Sequence, residues 1–178
     1  QKMNNPIIKQ INSVITAPPE ICIVLGSGLG NFPKILKNKK HLLYSGINGF
    51  PTTSVSGHVG QFIYGCFNDI PILCAQGRFH YYEGFSFEEV GIIVKTFNHY
   101  KPKKIIITNS VGCLRLDWDI GDFININKFI DFSFINSNSV REYKLNDNIT
   151  NLKNGTYAYT IGPTYETSAE IKEIISCG

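Results

Sequence analysis

The sequence lacks the features that direct a protein into a membrane or out of the cell. No apolar run approaches the roughly 20 residues that a membrane-spanning helix needs. The N-terminal segment also has no continuous apolar core of the kind that signal peptides carry. We therefore expect a cytoplasmic protein without a membrane partner.

An excess of charge of one sign is absent as well. The 178 residues include 17 Lys and Arg against 14 Asp and Glu, which gives a formal net charge of +3. This excess is too small and too dispersed to indicate nucleic-acid binding. Its one basic cluster, which consists of Lys37, Lys39 and Lys40, is interpreted as a solvated loop. With 43% hydrophobic residues, the chain can form the core of one compact domain without a disulfide or a metal.

The five cysteines do not form the pattern of a disulfide framework or a metal site. Their number is odd, their spacing is wide and no two of them form a C-x-x-C motif. The sequence therefore predicts buried free thiols and no bound metal. The cysteines are Cys22, Cys66, Cys74, Cys113 and Cys177.

Apolar runs alternate with amphipathic segments along the chain, and several runs are apolar at every position. Such runs are typical of strands that are covered on both faces. We therefore expect an α/β fold with a mixed central β-sheet flanked by helices on both faces. The predicted strands are 21–25, 61–66, 70–75, 105–108, 121–130 and 156–161. The predicted helices are 6–15, a segment from Ser86 to before Pro102, and a last one from Thr167, whereas 136–154 reads as a loop with some helix.

Polar and glycine-rich segments follow several of these strands, where α/β folds bind their ligands. Gly26–Gly30 could expose backbone N–H groups to an anion, with Ser27 as a hydroxyl donor, or could be a plain strand-to-helix turn. In Gly57–Gly60, just before a predicted strand, His58 is bracketed by glycines, although a single histidine in a turn is usually structural.

Two further segments carry charged side chains. In Gln76–Gly84, Arg78 offers a planar fork for phosphate oxygens and His80 projects from the same side if the segment is extended. The alternative is that Arg78 pairs with Glu83. In Gly162–Thr167, Glu166 either favours the following helix N-terminus or accepts hydrogen bonds from a purine base.

Together, these four segments resemble the trimeric class of purine nucleoside phosphorylases, a family that also contains the methylthioadenosine phosphorylases. The resemblance covers about residues 20–178 in the family's segment order. It implies a homotrimer that cleaves the N-glycosidic bond of inosine or guanosine with phosphate, releasing the base and ribose 1-phosphate. Inorganic phosphate would be a co-substrate, and no metal or organic cofactor is implied. Methylthioadenosine or xanthosine phosphorylase and a decayed, non-catalytic phosphate- or nucleotide-binding protein are the alternatives.

The resemblance also assigns roles to individual residues. The phosphate-binding residues would be Ser27, His58, Arg78, His80 and the backbone of Ser110. The nucleoside would be contacted by Tyr82, Gly112, Tyr165 and Glu166, and His80 and Glu166 would be the catalytic residues.

The sequence departs from the family pattern in three places. The sequence at 109–113 is Asn-Ser-Val-Gly-Cys, where the family usually has Asn-Ala-Ala-Gly-Gly. The segment between Asp131 and Gly155 is much shorter than usual, and the chain ends before the family's Met-Ser strand and a later purine-binding asparagine. We therefore expect 1–178 to be a single nucleoside phosphorylase-like domain without the C-terminal part of the family fold.

Overall fold

The computed structural model describes residues 5–52, 60–135, 139–145 and 149–177. The chain divides into two compact units, residues 1–111 and residues 112–178. No helix within the described ranges is long and apolar enough to cross a lipid bilayer. Whether 1–178 behaves as a single domain stays a prediction.

The described part of the first unit contains helices α1 to α3 and strands β1 to β5. The helices are α1 (Asn5–Ile11), α2 (Phe87–Val90) and α3 (Ile92–His99). The strands are β1 (Ile21–Leu25), β2 (Lys37–Leu43), β3 (Gln61–Phe67), β4 (Ile70–Gln76) and β5 (Lys104–Ile107). Short 3-10 helices cover Phe32–Ile35, Tyr44–Gly46 and Tyr81–Glu83.

The five strands form one mixed sheet in the order β2-β3-β4-β1-β5. Strand β1 is parallel to both β4 and β5, with Leu25 opposite Gln76 and Val24 opposite Ile107. Strand β3 is antiparallel to β4 and to β2. The predicted mixed α/β fold is confirmed. Strands β4, β1 and β5 are neighbours that run in one direction. The segments that follow them therefore all begin at the carboxyl-terminal end of the sheet.

Apolar side chains on both faces of β1 explain why this strand is buried. Cys22 and Val24 pack in the larger core cluster, which also contains Ile11 of α1 and Phe97 of α3. Ile23 belongs to a second cluster on the other face, which includes Leu36 beside the first 3-10 helix. A strand with cover on both sides has no polar face, and this is the pattern from which the strand was predicted.

The interpretation of the basic cluster as a solvated loop is wrong, because its lysines lie in strand β2. Lys37, Lys39 and Lys40 lie in this strand, which is an edge strand of the described sheet and pairs with β3. Their side chains are exposed. Charged edge strands are common because lysines discourage pairing with another chain, but they lack the apolar alternation by which strands are recognised in a sequence.

The predicted helix after Ser86 begins at its capping box as expected. Ser86 accepts a hydrogen bond from the backbone N–H of Glu89, whose carboxylate accepts from the backbone N–H of Ser86. Gly91 divides the helix into α2 and α3. Helix α1 ends at Ile11, shorter than the predicted 6–15.

The described part of the second unit contains a three-stranded sheet and one helix. The elements are β6 (Ile124–Asp131), β7 (Arg141–Lys144), β8 (Lys153–Tyr159) and α4 (Ser168–Ser176). Strand β6 is central, antiparallel to β7 and parallel to β8. The expectation of a loop with some helix over 136–154 is wrong for β7 and the start of β8. Cross-strand pairs with β6, among them Asp131 with Arg141, stabilise β7, and such pairing is not visible in the local sequence.

The cysteines are free, as predicted, but they are not all buried. Cys22 and Cys74 are buried, Cys66 and Cys177 are half-buried, and Cys113 is exposed. The burial prediction is therefore wrong for Cys113. This residue lies in an irregular segment between β5 and β6, where no strand pairing covers it.

Candidate active site

Three segments that carry predicted phosphate-binding residues begin at the same end of the five-stranded sheet. Ser27 follows β1, Arg78 follows β4 and Ser110 follows β5. These are the three adjacent parallel strands, so the topology gathers the segments at the strands' carboxyl ends.

The start of the glycine loop is held by the side chain of Thr108. The backbone N–H of Gly26 donates to Thr108 Oγ1 over 2.9 Å, and the same hydroxyl donates to the carbonyl of Val24 over 2.7 Å. A Cβ on Gly26 would stand 2.5 Å from the Thr108 carbonyl oxygen, so the residue here must be glycine for the two backbones to approach. Ser27, the next residue, is exposed.

The loop after β5 is joined to the glycine loop by a further hydrogen bond. The Ser110 hydroxyl donates to the backbone carbonyl of Ser27 over 2.7 Å. This bond links the segments that carry Ser27 and Ser110.

Arg78 and His80 contact one another directly. Arg78 Nε donates to His80 Nε2 over 3.1 Å, which confirms that the two side chains share a side of the segment. Because His80 Nε2 accepts this bond, the ring proton lies on Nδ1, which faces Glu83 Oε1. Glu83 Oε1 also accepts from the backbone N–H of His80 over 3.1 Å.

Glu83 contacts His80, a predicted site residue, and the sequence did not indicate this partner. The alternative interpretation paired it with Arg78, but among the described residues its ion pair is with His80. Its side chain is only 8% exposed, and its Oε2 is buried with no partner in the described parts of the chain. The i to i+3 spacing from His80 to Glu83 is the one signal that could have found it, because this spacing is that of a capping box.

Tyr82 packs face to face against the imidazole of His80. The two ring centroids are 4.9 Å apart and the ring planes are inclined by 15°. The Tyr82 side chain is half-exposed. His80 is therefore oriented by Tyr82 on its ring face and by Arg78 and Glu83 at its two nitrogens.

Tyr165 and Glu166, two of the residues predicted to contact the nucleoside, lie in the second unit after β8. Thr160 Oγ1 donates a 2.6 Å hydrogen bond to Glu166 Oε1. Tyr165, the preceding residue, is 97% exposed, and Gly112 has open space where a Cβ would stand. The helix that follows begins with the predicted capping box, in which Thr167 accepts from the backbone N–H of Glu170. Thr167 therefore provides the side-chain cap of this helix.

The predicted site residues therefore fall into three groups. Ser27, Arg78, His80, Tyr82 and Ser110 belong to the first unit, and Gly112, Tyr165 and Glu166 belong to the second. His58 lies outside the described residues.

Comparison with known proteins identifies the family of this chain. The family model described as "Phosphorylase superfamily" matches residues 20–178, and the chain belongs to this family. Purine nucleoside phosphorylase 1 of Geobacillus stearothermophilus is 31% identical over 200 residues, which cover 97% of this chain and 73% of that protein. The resemblance inferred from the four segments is confirmed.

Solved structures show the same likeness in three dimensions. The purine nucleoside phosphorylase of Schistosoma mansoni in complex with acetate superimposes with a TM-score of 0.81 at 27% identity, covering 97% of this chain and 74% of that one. A purine nucleoside phosphorylase in complex with ribose-1-phosphate gives a TM-score of 0.81 at 26% identity, with the same coverage.

Proposed function

We propose that this chain is a purine nucleoside phosphorylase, which uses phosphate to cleave inosine or guanosine into the free base and ribose 1-phosphate. The observation that carries the proposal is the gathering of Ser27, Arg78 and Ser110 at the carboxyl ends of three adjacent parallel strands. A purine nucleoside phosphorylase with the same fold has been solved in complex with ribose-1-phosphate, which is the sugar product of this reaction.

Phosphate is the nucleophile in the proposed reaction. The guanidinium of Arg78 and the hydroxyl of Ser27 hold its oxygens, together with His58 and the backbone N–H of Ser110. His80 acts on the phosphate through Arg78, whose Nε donates to His80 Nε2. Held in this way, a phosphate oxygen attacks the anomeric carbon as the bond to the base breaks and the sugar gains oxocarbenium character. Fixing the two reactants in this geometry lowers the entropic part of the barrier, and no organic cofactor or metal takes part.

Glu166 holds the base during the reaction. A 6-oxopurine carries a proton on N1, and the Glu166 carboxylate accepts a hydrogen bond from this N1–H, which fixes the base while the glycosidic bond breaks. The departing base takes up a proton from water. Adenine has no proton on N1, so this contact favours inosine and guanosine. Tyr82, Tyr165 and Gly112 contact the nucleoside in this proposal.

The experiment is to incubate the purified protein with inosine and to follow hypoxanthine with and without phosphate. We expect release of the base only when phosphate is present. Equal release in both reactions would identify a hydrolase and contradict the proposal. Arg78→Ala serves as the matched control, because it removes the fixed positive charge assigned to phosphate.

The assembly and cellular location are also proposals. We infer a homotrimer in the cytoplasm, on the basis of the family resemblance. Sedimentation equilibrium tests the first point, since a mass of three chains supports the trimer and a mass of one chain contradicts it.

A further inference from the structure

Thr160 lies where it can fix the orientation of the Glu166 carboxylate. Its 2.6 Å bond to Glu166 Oε1 falls within the range of about 2.5 to 2.7 Å that is typical of a hydroxyl donating to an ionised carboxylate. Thr160 directly follows β8, and the last residue of this strand, Tyr159, accepts a backbone hydrogen bond from Phe132 over 2.9 Å. The donor therefore stands on backbone that is anchored to the sheet.

The loop between Thr160 and Glu166 does little to hold the Glu166 carboxylate in one orientation. Ile161 to Tyr165 form an irregular segment, and four of its five residues are exposed, including Tyr165 at 97%. A threonine side chain has few rotamers because it is branched at Cβ, so its hydroxyl is a more rigid anchor than this loop.

We propose that Thr160 is a positioning residue that orients Glu166 for the purine base; this inference rests on the proposed function. The hydroxyl uses one of about four lone-pair positions on the carboxylate, so Glu166 can still accept hydrogen bonds from a base. Thr160 does not touch the substrate. It restricts rotation of the carboxylate about its last bond.

This role predicts a difference between the two substrates. Hypoxanthine offers the carboxylate one donor, its N1–H, whereas guanine offers N1–H and the exocyclic amino group. Two donors on a base hold both carboxylate oxygens, but a single donor leaves the carboxylate free to turn. Loss of the Thr160 hydroxyl should therefore lower kcat/KM more for inosine than for guanosine.

The experiment compares Thr160→Val, which replaces the hydroxyl with a methyl group, with Thr160→Ser, which keeps the hydroxyl. We expect Thr160→Val to lower kcat/KM for inosine by about tenfold or more, as for the loss of a hydrogen bond to a charged group. The loss for guanosine should be smaller, the KM for phosphate should be unchanged, and Thr160→Ser should restore most of the activity. Thr156→Val is the matched control, because Thr156 is an exposed threonine of β8.

Binding of hypoxanthine, measured by calorimetry in the presence of phosphate, gives a readout that does not require turnover. Its dissociation constant should rise in Thr160→Val and return towards the parent value in Thr160→Ser. Melting temperatures are measured for all variants. If Thr160→Val does not fold, Thr160→Ala takes its place in the comparison.

The outcomes separate the two proposals. An active parent with unchanged inosine kinetics in a folded Thr160→Val protein overturns the role of Thr160 and leaves the proposed function standing. Equal losses on both nucleosides, or no rescue by Thr160→Ser, also overturn this role. A folded parent that neither cleaves inosine nor binds hypoxanthine overturns the proposed function and, with it, the role of Thr160.

Discussion

The Ser110 hydroxyl donates a 2.7 Å hydrogen bond to the backbone carbonyl of Ser27, and so ties the loop after β5 to the loop after β1. Both residues are proposed to bind phosphate, Ser27 through its hydroxyl and Ser110 through its backbone. The bond is solvent-exposed, and a hydrogen bond of this kind contributes about 0.5 to 1.5 kcal/mol.

Ser110→Ala should therefore weaken phosphate binding by about two- to tenfold, because the backbone donor remains while the loops lose their link. Calorimetric titration with phosphate measures the effect. Ser13→Ala is a suitable control, since its hydroxyl makes a local bond to the carbonyl of Gln10 after α1. An unchanged phosphate dissociation constant in Ser110→Ala would show that the bond does not organise the site.

Arg78 should be the main fixed charge on the phosphate, because a guanidinium stays protonated across the physiological range whereas histidines titrate. Arg78→Ala removes charge-assisted hydrogen bonds worth about 1.5 to 3 kcal/mol each, so phosphate binding should weaken by at least about tenfold. Arg78→Lys keeps the charge but loses the planar fork and should recover only part of the affinity. Titration of phosphate into both variants, with their melting temperatures, checks this prediction. Unchanged affinity in a folded Arg78→Ala protein would remove Arg78 from the site.

Gly26→Ala should destabilise the first unit. The new Cβ would stand 2.5 Å from the Thr108 carbonyl oxygen and 2.6 Å from Asn109 Cα, and backbone atoms cannot yield as a flexible side chain can. We expect a cost of about 1 to 3 kcal/mol, typical of overpacking, and a melting temperature lower by several degrees. Gly46→Ala is the control, because a Cβ on Gly46 would stand in open space. Equal melting temperatures for the two variants would contradict the close approach of β1 and the segment after β5.

The cysteines should differ sharply in their reactivity. Burial raises the pKa of Cys22 to about 12, with a smaller contribution from Cys74, and burial raises the pKa of Cys74 to about 12. Both side chains are therefore neutral thiols at pH 8, where the reactive form is the thiolate. Alkylation of the folded protein with iodoacetamide at pH 8, followed by mass spectrometry, should label exposed Cys113 first and leave Cys22 and Cys74 unmodified until the protein unfolds. Early labelling of Cys22 or Cys74 would contradict the packing of β1 against β4.

The sequence was informative wherever a local pattern decides the structure. Every residue of Ile21–Leu25 is apolar, so β1 was predictable, and the spacing of Ser86 and Glu89 was enough to place the start of a helix. Strand β2 was missed because its lysines lie on an edge, where pairing with β3 rather than burial stabilises the strand.

In the candidate site, too, the sequence predicted only the contacts that a local pattern decides. The proximity of Arg78 and His80 was predictable from their spacing in an extended segment, and their contact confirms it. The bond between Thr160 and Glu166 was not predictable, because it depends on how the intervening loop turns back after β8. Glu83 was an alternative partner for Arg78 in the sequence. Whether it contacts Arg78 or His80 depends on the 3-10 turn at Tyr81–Glu83.

Phosphorus NMR of the reaction of inosine with inorganic phosphate tests the central claim most directly, because it identifies the species that accepts the ribose. The account predicts that the purified protein converts phosphate into ribose 1-phosphate in equal amount to the hypoxanthine formed. Formation of hypoxanthine and free ribose, with the phosphate signal unchanged, would contradict it.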